Sequence, residues 1–240
     1  MAKTLNILHA LQFSQQCLNG IGQLGYEVEI STDFELAQKE MNKLGKHEFS
    51  PMLMAQANDF TSANCFWMFL KRDGRIIGGA CAKYDDLERE TVASYWERTL
   101  KRHYPVPGAQ TVFVRAESAA CQLRGRMVYM GDLFIQKEER GSPHLIRYYT
   151  HLLFVTVRMK WPDVDWIYVF LRSQEVFRGR VALYGFTDCV PGVLAWEDSI
   201  NYRSVSDQLA SISAERLAHI VTHYATEPGE LMRFIVDGKG

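Results

Sequence analysis

Between residues 5 and 19 the apolar positions Leu5, Leu8, Leu11 and Cys17 or Leu18 recur at near-helical spacing, and residues 26–30 alternate as a strand does. Gly20, Gly22 and Gly25 lie between them at the spacing of a dinucleotide fingerprint. That motif needs a strand before it and a helix after it, and here the order is reversed, so a flexible connector is expected. Thr32 and Glu35 are spaced as a capping box, and Phe34, Ala37, Met41 and Leu44 form one apolar face that ends at Gly45. Two strand-like runs, 66–71 and 76–83, flank Arg72-Asp73-Gly74-Arg75, whose Asp-Gly pair supplies the positive-φ positions of a tight hairpin. Residues 86–104 place Val92, Trp96, Leu100 and Tyr104 on one helical side. Pro105-Val106-Pro107-Gly108 ends that segment, and 111–115 reads as a strand.

The second half opens on a strand over 127–135, a charged turn, and a helix start at which Ser142 is a good N-cap and Pro143 fits the first helical position. Leu145, Tyr149, Leu152, Leu153 and Val157 give that helix its buried face, and it ends before Pro162. Residues 166–171 form a nearly unbroken apolar run, the pattern of a strand covered on both faces. A helical stretch then leads through Tyr184 to Gly185 and Phe186, followed by a strand over 193–196. An amphipathic helix over 209–224 and a strand-like 234–236 close the chain.

Composition narrows the class. With 240 residues, 47% hydrophobic, 12% aromatic and a net charge of -1, the chain reads as one globular domain of some size. A pI near 6.7 lacks the basic excess that binding a phosphate backbone demands, so no nucleic-acid partner is expected. The five cysteines are scattered and never in a CxxC pair, as reduced thiols are. No signal-peptide core and no run of membrane-spanning length is present, and a cytoplasmic protein without a membrane partner is expected.

Chemistry concentrates where the strand over 127–135 meets the following helix. A helix start presents unpaired N–H groups and the positive end of the macrodipole, and Arg140 and Gly141 immediately precede it. This segment resembles the core motif of the GNAT superfamily of N-acyltransferases, a strand ending in Val followed across a short spacer by Arg-Gly-x-Gly-x-Gly. Laid on without a gap, Ile135 takes the Val place and Arg140 and Gly141 match, while Pro143 and Leu145 stand where the later glycines belong. The pyrophosphate loop is thus degenerate. Residues 131–135 are similar to the Glu-Asp-Leu-Phe-Val of polyamine-type members, whose glutamate is the catalytic base, but that place here is Gly131. A second similarity lies in Leu183-Tyr184-Gly185-Phe186: anchored on Leu-Tyr it makes Tyr184 the general acid, and anchored on Gly-Phe it puts Val181 there.

The resemblance implies a mixed α/β fold whose central, mostly antiparallel sheet has splayed fourth and fifth strands and flanking helices. It implies one domain over 1–240, with an insertion at about 86–126 and a C-terminal extension at about 200–240. It further implies that acetyl-CoA is the co-substrate, with Arg140, Gly141, Ser142, His144 and Leu145 toward the pyrophosphate. The backbone N–H groups near Leu133 and Ile135 would lie at the thioester, with Ser173 beside the pantetheine arm. Arg178 and Arg180 are weaker phosphate candidates. Asp132, a residue from elsewhere or a water chain would be the base, and Tyr184 the acid. The implied activity is acetyl transfer by direct attack of an amine on a small molecule or peptide, with alternatives in a longer acyl donor or a non-catalytic GNAT-like binding or regulatory protein. His144 and His151 stand seven apart without nearby cysteine or paired carboxylates, so no metal is expected. The apolar face of Trp96, Leu100 and Tyr104 must be covered by the sheet or by a second copy in a homodimer.

Overall fold

The computed structural model describes residues 4–105, 112–115, 123–196 and 206–233. In chain order its elements are α1 (Ile7–Gln23), β1 (Glu27–Ser31), α2 (Phe34–Lys43), β2 (Cys65–Arg72), β3 (Arg75–Asp86), α3 (Val92–His103), β4 (Val112–Val114) and β5 (Arg126–Ile135). They continue with α4 (Pro143–Lys160), β6 (Trp166–Leu171), α5 (Ser173–Phe177), α6 (Arg180–Tyr184), β7 (Asp188–Pro191), β8 (Leu194–Trp196), β9 (Gln208–Ser213) and α7 (Ala214–Thr226).

Seven strands form one sheet in the order β1-β2-β3-β5-β6-β9-β7, while β4 and β8 pair in a small separate sheet. Every neighbouring pair in the large sheet is antiparallel except β5 and β6, which run parallel. The β2–β3 hairpin closes as the sequence predicts, with Asp73 at φ 49° and Gly74 at φ 73°. Both faces of the sheet are covered, so β2 buries Phe66, Met68 and Leu70 on one side and Cys65, Trp67 and Phe69 on the other. α1, α4 and α7 cover the first face; α2, α3 and the β4–β8 pair cover the second. α3 meets the sheet through Trp96, whose indole N–H donates to the Tyr168 hydroxyl at 3.2 Å, so its apolar side is covered within the chain.

Several expectations are corrected. Helix α1 runs through Gly20 and Gly22, which are therefore no flexible connector. A Cβ on Gly20 would stand 2.3 Å from the Tyr148 ring, so glycine lets α1 lie against α4. The buried side of α1 is Ala10, Phe13, Cys17 and Ile21, while Leu8, Leu11 and Leu18 are exposed, so the stripe that includes Gly20, where α1 meets α4, is the one that packs. Asp33 rather than Thr32 caps α2, its carboxylate accepting from the Leu36 N–H. The helix expected over 209–224 starts only at Ala214. Residues 208–213 form β9 between β6 and β7, so the segment expected as an extension supplies an interior strand. β7 is absent from the sequence reading, and 234–236 lies outside the described residues.

Two features of β5 position everything that follows. It pairs with β6 only from Met127 to Tyr129, opposite Trp166 to Tyr168. Beyond that, β5 follows β3 to Ile135 and β6 follows β9 to Leu171, so the fourth and fifth strands of the sheet splay apart. Within the diverging stretch β5 also carries a bulge. Gly79 pairs with Phe134 and Cys81 with Gly131, which leaves Asp132 and Leu133 opposite Ala80 alone, and Asp132 takes φ 56°.

Candidate active site

The splay opens a cleft of about 580 Å³ that passes through the sheet. On the α4 side its walls are Met130, Thr150, Leu153, Tyr184 and Phe186; on the opposite side they are Phe49, Tyr104, Tyr129 and Phe170. A second hollow of about 410 Å³ adjoins it at the start of α4, lined by Arg140, Gly141, Ser142, Pro143, Leu145 and Arg180. Leu133, Ile135, Arg140 and Tyr184 line both, so the two form one path.

The junction at α4 is built locally. The Ser142 hydroxyl accepts from the Leu145 N–H at 3.2 Å and sets the helix start. Gly141 sits at φ 116°, a conformation that residues with a side chain rarely adopt. Arg140 donates through Nε to the Ile135 carbonyl at 2.6 Å and lies over the Phe134 ring, 5.1 Å from its centre. The preceding acid does not compete for it, because Glu139 accepts from the Tyr26 hydroxyl and from Arg72, each at 2.8 Å. Of the expected amide donors, that of Leu145 is taken by the cap. His144 is half-buried and outside the cleft wall.

Tyr184 stands where the two hollows meet. Buried Arg147 of α4 donates to the Ala182 carbonyl at 2.9 Å and so fixes α6. The next residue, Gly185, has φ 94° and lies so close to α4 that a Cβ would meet the His151 ring at 2.6 Å. This contact accounts for the glycine of the Gly-Phe pair; of the two candidate positions, Tyr184 lines the cleft and Val181 does not. Burial raises the Tyr184 phenol above its ordinary pKa, so it holds its proton at neutral pH. Arg180 joins the same wall. Its Nε is buried, 3.3 Å from Glu175 Oε2, yet without hydrogen-bond alignment.

Asp132 belongs to the other side. Its carboxylate accepts from the Ser50 N–H at 3.1 Å and pairs with the Lys46 ammonium at 2.9 Å, which ties the bulge to the connection after α2. No side chain could extend from position 131 without displacement, since a Cβ there would meet Leu53 at 2.9 Å and the Tyr129 ring at 3.2 Å. Ser173 is not brought to the cleft. Its hydroxyl donates to the Ser206 carbonyl and accepts from Gln208, anchoring α5 to the start of β9. Lys46, Phe49, Ser50, Tyr104, Tyr129 and Arg172 line the cleft without any signal in the sequence beyond their type. Among the described residues no group of three His, Cys, Asp or Glu side chains could hold a metal ion, and no helix is long and apolar enough to cross a membrane.

No protein-family model and no curated protein matches the chain. Among solved structures it is similar to NAA60 of Arabidopsis thaliana in complex with acetyl-CoA, at 12% identity over 78% of this chain and 98% of the other, with a TM-score of 0.43. It is similar too to a probable acetyltransferase of Staphylococcus epidermidis, at 6% identity over 78% and 98% of the two chains, TM-score 0.44. An acyl-CoA N-acyltransferase of Pseudomonas aeruginosa gives 12% identity over 78% and 98%, TM-score 0.41. Superposition at this level identifies no activity. The mostly antiparallel sheet flanked by helices and the parting of its fourth and fifth strands are the features expected of a GNAT-type fold, and the chain has them.

Proposed function

We propose that the chain is a CoA-dependent N-acyltransferase that moves an acetyl group from acetyl-CoA to a primary amine. One observation carries this reading: a continuous path leads from a capped helix start, through the gap between two parted strands, to the opposite face of the sheet. The residues along it suit the co-substrate. Arg140 keeps its terminal guanidinium nitrogens beyond the bond it makes through Nε, and the buried Nε of Arg180 lacks an aligned acceptor. Both favour an anion at the positive end of α4.

Acetyl-CoA supplies a thioester carbonyl open to attack. Past Tyr129, the edge of β5 that faced β6 has no strand beside it, and backbone N–H groups near Leu133, a residue of the cleft wall, are the donors this reading assigns to that carbonyl oxygen. A C–N bond forms as the C–S bond breaks, the nitrogen loses a proton, and the sulfur leaves as a thiolate. Tyr184, protonated and on the cleft wall, is placed to give the thiolate its proton. Within β5 no free carboxylate stands ready to take the amine's proton, since Asp132 is held by Lys46 and Ser50. That feature favours the second reading, in which the same cleft binds CoA without turnover.

The decisive experiment is calorimetric titration of acetyl-CoA into the native chain and into Arg140→Ala. Loss of one charge-assisted contact should weaken binding by about 1.5–3 kcal/mol. Equal affinities, or no binding at millimolar ligand, would refute the site. Binding to the native chain with no N-acetyl product from any amine would leave the non-catalytic reading.

A further inference from the structure

We infer that Glu48 is the base of the transfer: its carboxylate takes the proton that the acceptor nitrogen sheds, from a connection pinned across the cleft by the bulge in β5. This rests on the acyltransferase reading above and adds to it the group that β5 lacks.

The bulge itself carries no base. Gly131 has no side chain, and the space a Cβ would need is bounded by Leu53 at 2.9 Å and the Tyr129 ring at 3.2 Å. The next residue, Asp132, is paired with Lys46 at 2.9 Å and accepts from the Ser50 N–H at 3.1 Å. A carboxylate held by a cation and a donor gives up both when it takes a proton. Two other carboxylates line the cleft, Glu175 and Glu48. Glu175 meets Arg178 and Arg180 at 3.3 Å each. Glu48 is exposed, and among the described residues its side chain makes no hydrogen bond and no ion pair. No histidine among the described residues lines the cleft or the hollow beside it, so Glu48 is the carboxylate left open to a proton.

The connection after α2 places it. Lys46 and Ser50, two residues before Glu48 and two after, are tied to the same Asp132 carboxylate. The Lys46 ammonium also donates to the Glu48 carbonyl at 2.8 Å and stands 5.0 Å from the centre of the Phe49 ring, which makes an edge contact with Trp67. The main chain at 48 is thereby fixed to the bulge while its side chain is left to the cleft. Asp132 anchors the base and is not the base itself. Phe49 packs on the side of the sheet away from α4, and Tyr184 packs on the α4 side. Proton acceptor and proton donor therefore come from opposite sides of the parted strands, one toward the incoming nitrogen and one toward the departing sulfur.

The step balances with these two groups. The amine attacks the thioester carbon, the C–N bond forms, and Glu48 takes the proton that the nitrogen can no longer hold. As the C–S bond breaks, the thiolate takes its proton from Tyr184. Glu48, exposed, returns its proton to solvent, and the Tyr184 phenol regains one from there.

The test compares the full native chain with Glu48→Gln, Glu48→Asp and Glu48→Ala. The acceptors are hexylamine, 2-phenylethylamine, spermidine, leucine and trialanine, with N-acetyl products followed by mass spectrometry. Thiol release from acetyl-CoA without any amine, in which water is the acceptor, is followed in parallel. With the fastest acceptor, kcat should fall by about a hundredfold or more in Glu48→Gln and Glu48→Ala. Acetyl-CoA affinity by calorimetry and the unfolding midpoint should stay at their native values, because the side chain is exposed and unpaired. Glu48→Asp should keep an intermediate rate. Formate should restore turnover to Glu48→Ala in proportion to its concentration, and chloride at the same ionic strength should not. A side chain that only shaped the connection would show no such rescue. A Glu48→Gln rate equal to the native one, or a loss in Glu48→Ala that formate leaves untouched, would overturn the assignment. So would a native chain that binds acetyl-CoA yet transfers its acetyl group neither to an amine nor to water, which leaves the non-catalytic reading. Failure to bind acetyl-CoA at all removes the function beneath both.

Discussion

At the α4 end of the cleft, Arg140, Gly141 and Ser142 follow one another in the chain and are fixed locally, Ser142 by the cap of α4 and Arg140 by its bond to the Ile135 carbonyl. The other end takes Lys46 to Ser50 from one connection, Tyr104 from the end of α3, Tyr129 and Asp132 from β5 and Phe170 from β6. The first end exists wherever α4 starts. The second exists only when α3 and the connection after α2 are docked on the sheet, so disturbances of docking should fall on it first. Each end also rests on one buried histidine: His151 lies under Gly185, and His103 precedes Tyr104 with Nε2 3.0 Å from the Asn58 side-chain oxygen.

Acid is expected to give the largest effect, because it strikes both supports. Burial lowers the pKa of His103 to about 4 and that of His151 to about 3, so both stay neutral in the folded chain. Unfolded histidines take up a proton near pH 6.5, so stability is full above that value and is lost as pH falls from there toward 4 and 3. At pH 5 each should cost about 2 kcal/mol, roughly 4 together. Urea unfolding at pH 7.5 and pH 5 checks the sum, and His103→Gln should remove about half of the difference. A profile that is flat between the two pH values would mean that neither ring is sealed from water.

Lys46→Met breaks the comparison on one side only. It leaves the Asp132 carboxylate, whose side chain is 6% exposed, with the Ser50 N–H but without its cation. Stripping one member from a buried pair should cost about 3 kcal/mol of stability. Adding Asp132→Asn should recover most of it, since an amide oxygen still accepts from Ser50 and carries no charge. Acetyl-CoA affinity of the folded fraction should stay within about twofold, because Arg140 and the cap of α4 are untouched. A parallel drop in that affinity would show the two ends to be one unit.

The same contrast decides what could be read in the sequence. A capped helix start, the Asp73-Gly74 turn and the apolar run of β6 are each written in consecutive residues, and each stands where local chemistry puts it. Leu183-Tyr184-Gly185-Phe186 is likewise written in consecutive residues, and of its two registers Tyr184 stands on the cleft wall while Val181 does not. Lys46, Phe49, Tyr104 and Tyr129 carry no local signal, since their meeting depends on register and docking across some eighty residues. β9 was misread for a related reason. Leu209, Ala210 and Ile212 are compatible with a helical stripe, and only the unfilled edge of β6 makes them a strand. Ser173 was carried from the resemblance to a place where the hydroxyl has another task, at Ser206 and Gln208.

Tyr184→Phe tests the junction itself. The substitution deletes the hydroxyl and keeps the ring on the cleft wall, so acetyl-CoA affinity should change little. Turnover with the best amine should fall by about a hundredfold if the phenol supplies the thiolate's proton. In the native chain the dependence on this acid should persist to alkaline pH, because burial raises its pKa. A rate unchanged in the phenylalanine variant would make Tyr184 a packing residue and return the proton to solvent.

The smallest effect separates backbone from side chain at the α4 end. At φ 116° Gly141 is strained for any L-residue, but a Cβ there would meet nothing within 4 Å, so Gly141→Ala probes conformation without a clash. The loop has little room to relax. Arg140 is pinned to the Ile135 carbonyl on one side, and the Ser142 hydroxyl is pinned to the Leu145 N–H on the other. The strain should therefore remain in the folded state and lower stability by about 1 kcal/mol. Acetyl-CoA affinity should fall less than in Arg140→Ala, since the guanidinium keeps its anchor. Unfolding midpoints and calorimetry on the two variants decide between the parts. An unchanged midpoint with an affinity loss larger than that of Arg140→Ala would mean that the peptide groups around 141, rather than the arginine, form the seat for the anion.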